Sequence, residues 1–256
     1  MCGHCLRAYY YWSDQMPDID PKSVKSINSI KKEYGNLRQK SKSPSFALQY
    51  FGTYMTLMNN CGFSKEEAKK IEDNYHELYK VSDEWGADII EQAKKIGYIP
   101  LAFGGRIRTP LLAKSLNSKR VSYGAEKEAR SAGNAATQSY CVLTLRALNE
   151  FMERVWASPY RYLIHPSGTI HDAIYLLWPD SAIITHWINK NLLECMSWQD
   201  LPELKHPIIK MSSALDIFWP NWANSIGIPP GASMEEIKYT CNKGIQEYQQ
   251  KEKQAA

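Results

Sequence analysis

The stretch Arg38-Gln-Lys-Ser-Lys42-Ser-Pro-Ser-Phe46-Ala-Leu-Gln-Tyr50-Phe-Gly52 places two cations and two aromatic rings at intervals of four residues. On a helix this spacing aligns the four side chains of Arg38, Lys42, Phe46 and Tyr50 along one face. Two cations one turn apart suit a polyphosphate, and a ring one turn further on suits a sugar or a base. The pattern therefore indicates a surface that binds a nucleoside triphosphate.

A purely structural explanation of the same stretch is also open. Phe46, Leu48 and Tyr50 would then face the core, and the two cations would lie at its solvated edge. Pro44 restricts either arrangement, because it removes one backbone donor and clashes with the preceding turn. The sequence therefore predicts that a helix starts near Ser43 or kinks at Pro44.

The composition is that of a folded, mildly basic protein. The chain has 256 residues, of which 44% are hydrophobic, and its formal net charge of +4 permits a polyanionic partner. No stretch approaches the ~20 apolar residues of a membrane helix, and the N-terminus does not have the pattern of a secretory signal. We therefore expect a cytoplasmic protein with no membrane partner.

Cys2 and Cys5 form the chain's C-x-x-C pair, with His4 between them, and the other cysteines are scattered. A zinc site needs about four ligands, and no second pair lies at the spacing of a zinc ribbon or finger. The sequence therefore favours reduced thiols over a metal site at this position.

Two successive amphipathic helices and a hairpin are predicted further along the chain. Ser64 and Glu67 have the spacing of a capping box, and the apolar positions that follow recur at helical spacing. Residues 97–110 are rich in turn residues and typical of a hairpin. Arg106 and Arg108 alternate on one strand of it, where both side chains can meet a phosphate backbone.

Residues 126–152 have a long helical pattern that places Arg130, Asn134 and Gln138 at every fourth position among small residues. Small residues admit another backbone, and long polar side chains need partners when they are covered. A nucleic-acid groove supplies such partners, so this helix is a candidate DNA-binding element.

Two apolar runs flank His171-Asp172, which predicts a β-hairpin with an imidazole and a carboxylate at its tip. Pro166 and Gly168 fall in the first strand, so we expect that strand to be irregular or to lie at an edge. A His-Asp pair in a turn is often only turn chemistry. Strands on both sides, however, would hold the carboxylate as rigidly as a metal ligand requires. Further on, residues 206–211 are predicted to form a last strand.

Together these stretches resemble the C-terminal part of a family A DNA polymerase, the DNA polymerase I group, and its bacteriophage members most of all. The family's fingers motif R-x3-K-x3-F-x3-Y-G is similar to the stretch from Arg38 to Gly52, with Phe51 at the usual glycine position. FGGRIRTP resembles the family's GRR-x-x-x-P hairpin, RSAGNAATQS its R-x3-N-x3-Q pattern, and TIHDAIYLLW its VHDE hairpin with Ala173 in place of the acid. His4, in GHCLRAY, resembles the histidine of the family's D-I-H segment.

The resemblance implies an α+β fold. A mainly helical fingers subdomain would occupy residues 1–125, and part of an antiparallel palm sheet with a C-terminal helix would occupy residues 126–256. The resemblance also implies roles for individual side chains. These are nucleotide binding for Arg38, Lys42, Phe46, Tyr50 and His4, DNA binding for Arg130, Asn134, Gln138, Arg106 and Arg108, and catalysis for Asp172, Lys42 and His171.

The reaction implied is template-directed nucleotidyl transfer, with Mg²⁺ as cofactor and with primer–template DNA and dNTPs as partners. Asp172 is the implied metal ligand, and Lys42 is a candidate proton donor to the leaving pyrophosphate. The family's other catalytic aspartate lies on a palm strand upstream of the segment that begins Gly3-His4. Because two-metal transfer needs carboxylates from both strands, the chain is interpreted as one half of a split polymerase. A separate N-terminal polypeptide would complete it, in the host cytoplasm if a phage encodes both.

Two other functions stay open at this point. One is a non-catalytic fragment that binds nucleotide or duplex DNA, for which binding without dependence on Mg²⁺ is the distinguishing property. The other is a phage-type RNA polymerase, which uses related motifs. Phe46 argues against the RNA polymerase, because a bare ring offers a ribose 2′-OH no hydrogen bond.

Overall fold

The computed structural model describes residues 1–118 and 120–255, and it confirms the expected α+β fold. The described residues are mainly helical, with small antiparallel sheets of two strands each. The helices are α1 (Gly3–Trp12), α2 (Val24–Glu33), α3 (Gly35–Lys40), α4 (Lys42–Gln49), α5 (Tyr54–Cys61), α6 (Lys65–Leu78), α7 (Lys80–Ile96), α8 (Pro110–Lys114), α9 (Tyr123–Gln138), α10 (Val142–Trp156), α11 (Ala182–Met196) and α12 (Met234–Ala255). The strands are β1 (Tyr98–Pro100), β2 (Arg106–Arg108), β3 (His165–Ile170), β4 (Ala173–Leu177), β5 (Leu215–Phe218) and β6 (Ser225–Ile228).

The chain divides into two compact units, Met1–Tyr140 and Cys141–Ala256. The division follows α9, so that helix belongs to the first unit. The assignment of fingers to residues 1–125 and of palm to residues 126–256 stays a prediction. In the part of the chain that the structure describes, no helix has the length and apolar character needed to cross a membrane.

The first unit is assembled around α1, which contacts α2, α3 and α6. Tyr11 is fully buried and Trp12 almost so, and they share a core with Ile27 and Ile30 of α2 and Ile71 of α6. Buried aromatic side chains remove a large apolar area from water. Tyr11 and Trp12 of α1 are therefore central to this core.

Helices α6 and α7 follow each other closely, as the sequence predicts. Ser64 caps α6 by accepting a hydrogen bond from the backbone N–H of Glu67. The Glu67 carboxylate is used elsewhere: Oε1 accepts from Trp12 Nε1 at 3.2 Å and from Lys40 Nζ at 2.7 Å. The second half of the predicted capping box is therefore replaced by a link from α6 to α1 and α3.

The helical pattern at residues 126–152 forms two helices, and the prediction of one long helix was wrong. A 3₁₀-helical turn separates α9 from α10. Ser139, the first residue of that turn, donates its hydroxyl to the carbonyl of Ala136 at 2.7 Å and accepts from the N–H of Ala102 at 3.0 Å. A serine that bonds to backbone groups in this way competes with the helical ladder, so α9 ends here.

The second unit packs α10, α11 and α12 with two hairpins, β3–β4 and β5–β6. Its core contains Phe151 of α10, Ile188 of α11, Ile228 of β6 and Ile237 of α12, all of them buried. Strand β6 alternates between exposed and buried residues, which is the pattern of a strand with one face on the core.

The last strand predicted at residues 206–211 is absent from the described structure, and β5 begins at Leu215 instead. The imidazole Nδ1 of His206 accepts hydrogen bonds from the backbone N–H groups of Ile208 at 3.2 Å and Ile209 at 2.8 Å. Those two groups are bonded locally, so they are not free to join a ladder.

Candidate functional site

The face from Arg38 to Tyr50 is divided between two helices. Arg38 belongs to α3, whereas Lys42 is the first residue of α4 and Pro44 the third. Ser41 lies between the helices and keeps right-handed helical backbone angles, so α4 continues α3 after a single-residue interruption. The predicted start or kink near Pro44 is confirmed, because a proline is tolerated in the first turn of a helix.

Buried hydroxyl groups connect the junction of α3 and α4 to α1. Ser41 Oγ lies 2.8 Å from the carbonyl of Arg38 and 3.2 Å from that of His4. Ser45 Oγ donates to the carbonyl of Ser41 at 2.7 Å and accepts from the hydroxyl of Tyr11 at 2.9 Å. Burial raises the pKa of Tyr11 to about 12, so this hydroxyl keeps its proton at neutral pH. Satisfied buried hydroxyls of this kind set the position of Arg38 relative to His4.

The side chains of this face lie at the surface. Phe46 is 45% exposed, and Lys42 and Tyr50 are half-buried. Leu48 is buried, so the core explanation of this stretch holds for Leu48 and not for Phe46. An exposed ring next to cations is available to a ligand.

A cationic patch surrounds His4. The imidazole ring of His4 meets the ring of Phe46 edge-on with the centroids 6.1 Å apart, and Arg7 Nη1 lies 3.3 Å from His4 Nδ1. Burial, and then the positive charges of Arg7, Arg38 and Lys42, lower the pKa of His4 below its usual value of 6.5. The imidazole is therefore mainly neutral at pH 7, and the charge of the patch comes from the other three side chains. Such a cluster attracts anions.

The end of α4 explains how Phe51 occupies the usual glycine position. The N–H of Gly52 bonds to the carbonyl of Ala47 at 2.9 Å, and that of Phe51 to Leu48 at 3.0 Å, which is a Schellman motif. The motif holds Phe51 at a φ of 63°, in the left-handed region that favours glycine. The next residue, Gly52, must be glycine for a steric reason: a Cβ at this position would lie 2.5 Å from the carbonyl oxygen of Ala47.

The ring of Phe51 approaches two glycines on neighbouring helices. A Cβ placed at Gly133 of α9 would lie 2.9 Å from ring Cζ, and one at Gly86 of α7 would lie 3.2 Å from ring Cε1. Only a residue without a side chain leaves room for the ring at both places. Phe51 and Arg130 also line a cleft of about 460 Å³. The ring thus connects the end of α4 to the candidate DNA-binding helix.

Helix α9 carries Arg130, Asn134 and Gln138 as predicted, on the face opposite its buried alanines. Arg130 and Gln138 are exposed, and Asn134 is half-buried. Gln138 Nε2 donates a hydrogen bond to Asn134 Oδ1. The three side chains therefore lie at the surface of the first unit, where a ligand can reach Arg130 and Gln138.

Arg106 and Arg108 lie on β2, which pairs with β1 in an antiparallel hairpin. Both are exposed, and Ile107 between them packs against an apolar cluster. The Arg106 guanidinium lies over the ring of Tyr98, 4.7 Å from its centroid. The predicted alternation is thus confirmed, and one of the two cations is supported by a cation–π contact.

His171 and Asp172 form the turn between β3 and β4, and the predicted hairpin is confirmed. The register shifts between Pro166 and Gly168, as expected for an irregular strand. Both turn side chains are exposed, and His171 has a φ of 53°. Among the described residues β3 pairs with β4 alone and its residues are all exposed, so its other edge is accessible to a further strand.

Asp172 contributes one carboxylate at this turn. Within the described residues, no group of three or more His, Cys, Asp or Glu side chains is arranged to hold a metal ion. These residues therefore do not by themselves fit a two-magnesium centre. The roles of Asp172 as ligand and of Lys42 and His171 as catalytic groups stay predictions.

Comparison with known proteins decides the family. The sequence profile described as DNA polymerase family A matches residues 17–213, which is more than half of the chain. This chain belongs to DNA polymerase family A. No match was found among curated proteins.

Among solved structures, this family A chain is similar to the POL domain of Pol1 from M. smegmatis in complex with DNA primer-template and dNTP. The TM-score is 0.58 and the sequence identity is 19%. The match covers 82% of this chain and 32% of the mycobacterial chain, so this chain spans about a third of that protein's length. At this identity the likeness shows the fold alone.

Several residues of the site were not predicted from the sequence. Arg7 lies three residues after His4, and this helical spacing is the signal that could have placed it beside the histidine. Gly86 and Gly133 interrupt otherwise helical patterns, which often marks a close packing contact. The buried hydroxyls of Ser41 and Ser45 had no sequence signal, since serine is usually exposed.

Proposed function

We propose that this chain is the nucleotide-binding and DNA-positioning part of a template-directed DNA polymerase. The observation that carries the proposal is the surface where the half-buried cations Arg38 and Lys42 lie with the exposed ring of Phe46 beside a neutral His4. In the part of the chain that the structure describes, Arg38 and Lys42 form no ion pair with a carboxylate, so they can attract the phosphates, and the exposed ring offers a surface for the sugar. The membership in family A supports the same assignment.

In the proposed complex, Arg38 and Lys42 bind the triphosphate of the incoming dNTP. Phe46 packs against the deoxyribose, and Tyr50 lies beside the templating base. His4 is held between Arg7 and Phe46, so it orients the ring without adding positive charge at neutral pH. Lys42 is in addition the proposed proton donor to the leaving pyrophosphate.

The proposed DNA contacts lie on α9 and β2. Arg130, Asn134 and Gln138 would hold the template–primer backbone and minor groove, and Arg106 and Arg108 would meet phosphates. Phosphate contacts of this kind fix position and register without reading sequence. They also make the binding depend steeply on salt concentration.

The proposed reaction is in-line attack by the primer 3′-hydroxyl on the α-phosphate, with pyrophosphate as leaving group. Asp172 would contribute one carboxylate, with His171 near the primer terminus. A pair of Mg²⁺ ions supplies charge neutralisation in reactions of this class. We propose that a second carboxylate comes from a separate N-terminal polypeptide, whose strand would pair with the exposed edge of the β3–β4 hairpin. We also propose that the chain is most closely related to bacteriophage polymerases and that it is located in the cytoplasm.

Nucleotide binding by the chain alone tests the first half of the proposal. Arg38→Ala or Lys42→Ala should weaken dTTP binding about tenfold or more, because a charge-assisted contact contributes about 1.5–3 kcal/mol. Lys25→Ala is the matched control, since Lys25 is an exposed cation on α2 and outside the patch. Equal losses from Lys25→Ala and Lys42→Ala would mean that only net charge matters, and would contradict the proposed face.

Primer extension tests the second half. The chain is mixed with the upstream polypeptide, and dNTP incorporation is measured with Asp172→Asn and with the control Asp200→Asn, an exposed aspartate elsewhere in the second unit. We expect the Asp172 variant to abolish extension and the control to leave it unchanged. Extension that survives Asp172→Asn would remove that residue from the metal centre. Extension with rNTPs in preference to dNTPs would favour the RNA polymerase. Nucleotide binding without Mg²⁺ dependence or extension would favour the non-catalytic fragment.

A further inference from the structure

The C-x-x-C pair lies at the start of α1 beside the cationic patch. Cys2 is the N-cap residue, in extended conformation, and Cys5 lies in the first helical turn with its N–H bonded to the carbonyl of Cys2 at 3.1 Å. The backbone N–H of Cys2 donates to Asn28 Oδ1 at 2.8 Å, which holds the turn against α2. Residues three apart in such a turn lie within the roughly 4.4–6.8 Å Cα separation of a disulfide.

The two sulfurs have different surroundings. Cys2 is half-buried and Cys5 is fully buried, and both thiols are free. Burial opposes ionisation of Cys2, but contacts with the N–H and thiol of Cys5 and with Arg38 outweigh it and lower the pKa of Cys2 to about 7. Burial, and then the neighbouring Cys2, raise the pKa of Cys5. An accessible thiolate next to a buried thiol is the usual arrangement of an attacking and a resolving cysteine.

Arg38 belongs to α3, which packs against α1, the helix that carries the pair. Its interaction with the Cys2 sulfur raises the pKa of Arg38, and the Cys5 sulfur contributes less. Arg38 Nε is buried and has no hydrogen-bond partner among the described residues. The guanidinium that is proposed to bind phosphate therefore has the partly ionised sulfur of Cys2 as a neighbour.

We propose that Cys2 and Cys5 form a dithiol site that reacts with a small linear disulfide, such as oxidised glutathione, and that closure of the protein disulfide frees Arg38 for anions. The disulfide site stands on its own geometry. The consequence for Arg38 rests on the proposed nucleotide-binding function.

The reaction is ordinary thiol–disulfide exchange. The Cys2 thiolate attacks one sulfur of the small disulfide, a bond forms between them, and one small thiolate leaves. The Cys5 thiol then loses its proton and attacks the Cys2 sulfur, the mixed disulfide breaks, and the second small thiolate leaves. Both protein thiols are oxidised, one small disulfide is reduced to two thiols, and the released protons go to the leaving thiolates.

Closure removes the negative charge that faces Arg38. In the reduced state the Cys2 thiolate competes with phosphate for the guanidinium, and in the oxidised state it cannot. Cys2 is only partly ionised near neutral pH, so removing its charge should change the affinity less than removing the Arg38 guanidinium itself. We therefore expect dTTP to bind about two- to fivefold more tightly to the oxidised chain.

The first experiment equilibrates the full chain with defined ratios of reduced and oxidised glutathione, followed by alkylation, proteolysis and mass spectrometry. The peptide of residues 1–7 should lose two hydrogens and carry no glutathione, at ratios that leave the exposed Cys141 reduced. Cys5→Ser should stop at a glutathione adduct on Cys2, and Cys2→Ser should leave the buried Cys5 unreacted. A stable glutathione adduct on wild-type Cys2, or oxidation of Cys141 before the pair, would overturn the site.

The second experiment measures dTTP binding to the reduced and oxidised chains. Cys2→Ser has no thiolate, so it should bind like the oxidised chain and ignore glutathione. Equal affinity of both wild-type forms would overturn the link to Arg38. If neither form binds dTTP, the proposed function fails, and the interaction between Cys2 and Arg38 is tested by the pH dependence of Cys2 alkylation. In that experiment Arg38→Ala should raise the pKa of Cys2, and an unchanged pKa would overturn the proposed interaction.

Discussion

Substituting Gly133 by alanine tests whether the ring of Phe51 couples α4 to α9. The added Cβ would lie 2.9, 3.0 and 3.1 Å from ring atoms Cζ, Cε2 and Cε1. Carbon atoms prefer a separation of about 3.5–4.0 Å, so the ring or the helix must move by roughly half an ångström or more. The ring cannot retreat freely, because hydrogen bonds at both Phe51 and Gly52 fix its backbone.

The size of the effect follows from two opposing contributions. Overpacking a well-packed contact costs about 1–3 kcal/mol, whereas alanine is favoured over glycine within a helix by about 1 kcal/mol. Gly133→Ala should therefore lower the free energy of unfolding by up to about 2 kcal/mol. In a chain that carries Phe51→Gly the ring is gone, so the same substitution should raise it by up to about 1 kcal/mol.

Urea unfolding of the wild type, both single variants and the double variant gives the coupling energy directly. Hydrogen exchange of peptides from α7 and α9 shows whether the variants change the protection of these two helices. Gly86→Ala is the graded comparison, because its Cβ would lie 3.2 Å from the ring and should cost less than Gly133→Ala. A Gly133→Ala effect of the same sign and size with and without the Phe51 ring would refute the coupling.

Three further predictions address other parts of the first unit. The pKa of His4 is lowered in the folded chain, so below about pH 6.5 the unfolded chain binds a proton more readily and the folded state loses stability. His4→Gln should remove this loss and flatten the pH dependence of the free energy of unfolding, which chemical denaturation at a series of pH values measures. Ser45→Ala should lower the free energy of unfolding by about 1–3 kcal/mol and Tyr11→Phe by about 1 kcal/mol. The reason is that the Ser45 hydroxyl makes two buried hydrogen bonds and the Tyr11 hydroxyl makes one of them. Equal losses in urea unfolding would contradict this order. Gly62→Ala should destabilise by about 1 kcal/mol because Gly62 has a φ of 73°, whereas Gly35→Ala, with open space and no positive φ, should be neutral or stabilising in the same thermal scan.

Local patterns predicted those elements whose causes lie within a few residues. The hairpin at His171-Asp172 and the cap at Ser64 were confirmed because turn and cap chemistry act between near neighbours. The strand predicted at residues 206–211 was wrong because the side chain of His206 bonds to the backbone two and three residues on. Apolar composition alone does not reveal such a competitor.

The candidate site was predictable in its charges and not in its packing. Spacing predicted that Arg38 and Lys42 lie near one another, because a helix repeats every few residues, but it left open whether Phe46 faces the core or the solvent. The neighbours that set their properties come from α1, about thirty residues earlier in the chain. Sequence spacing carries no information on contacts over that separation, so neither the neutral His4 nor the Cys2 thiol beside Arg38 was predicted.

The charge balance of the cationic patch constrains what the site prefers to bind. Arg7, Arg38 and Lys42 supply the positive charge, His4 adds little at neutral pH, and the ionised fraction of Cys2 subtracts from it. A triphosphate carries more negative charge than this patch neutralises. Each phosphate added to the nucleotide is therefore still attracted by the patch, and part of the ligand's charge remains in contact with solvent. Affinity should then rise from mono- to di- to triphosphate and fall with salt, because these contacts are only partly buried. A site that used shape rather than charge would show neither trend.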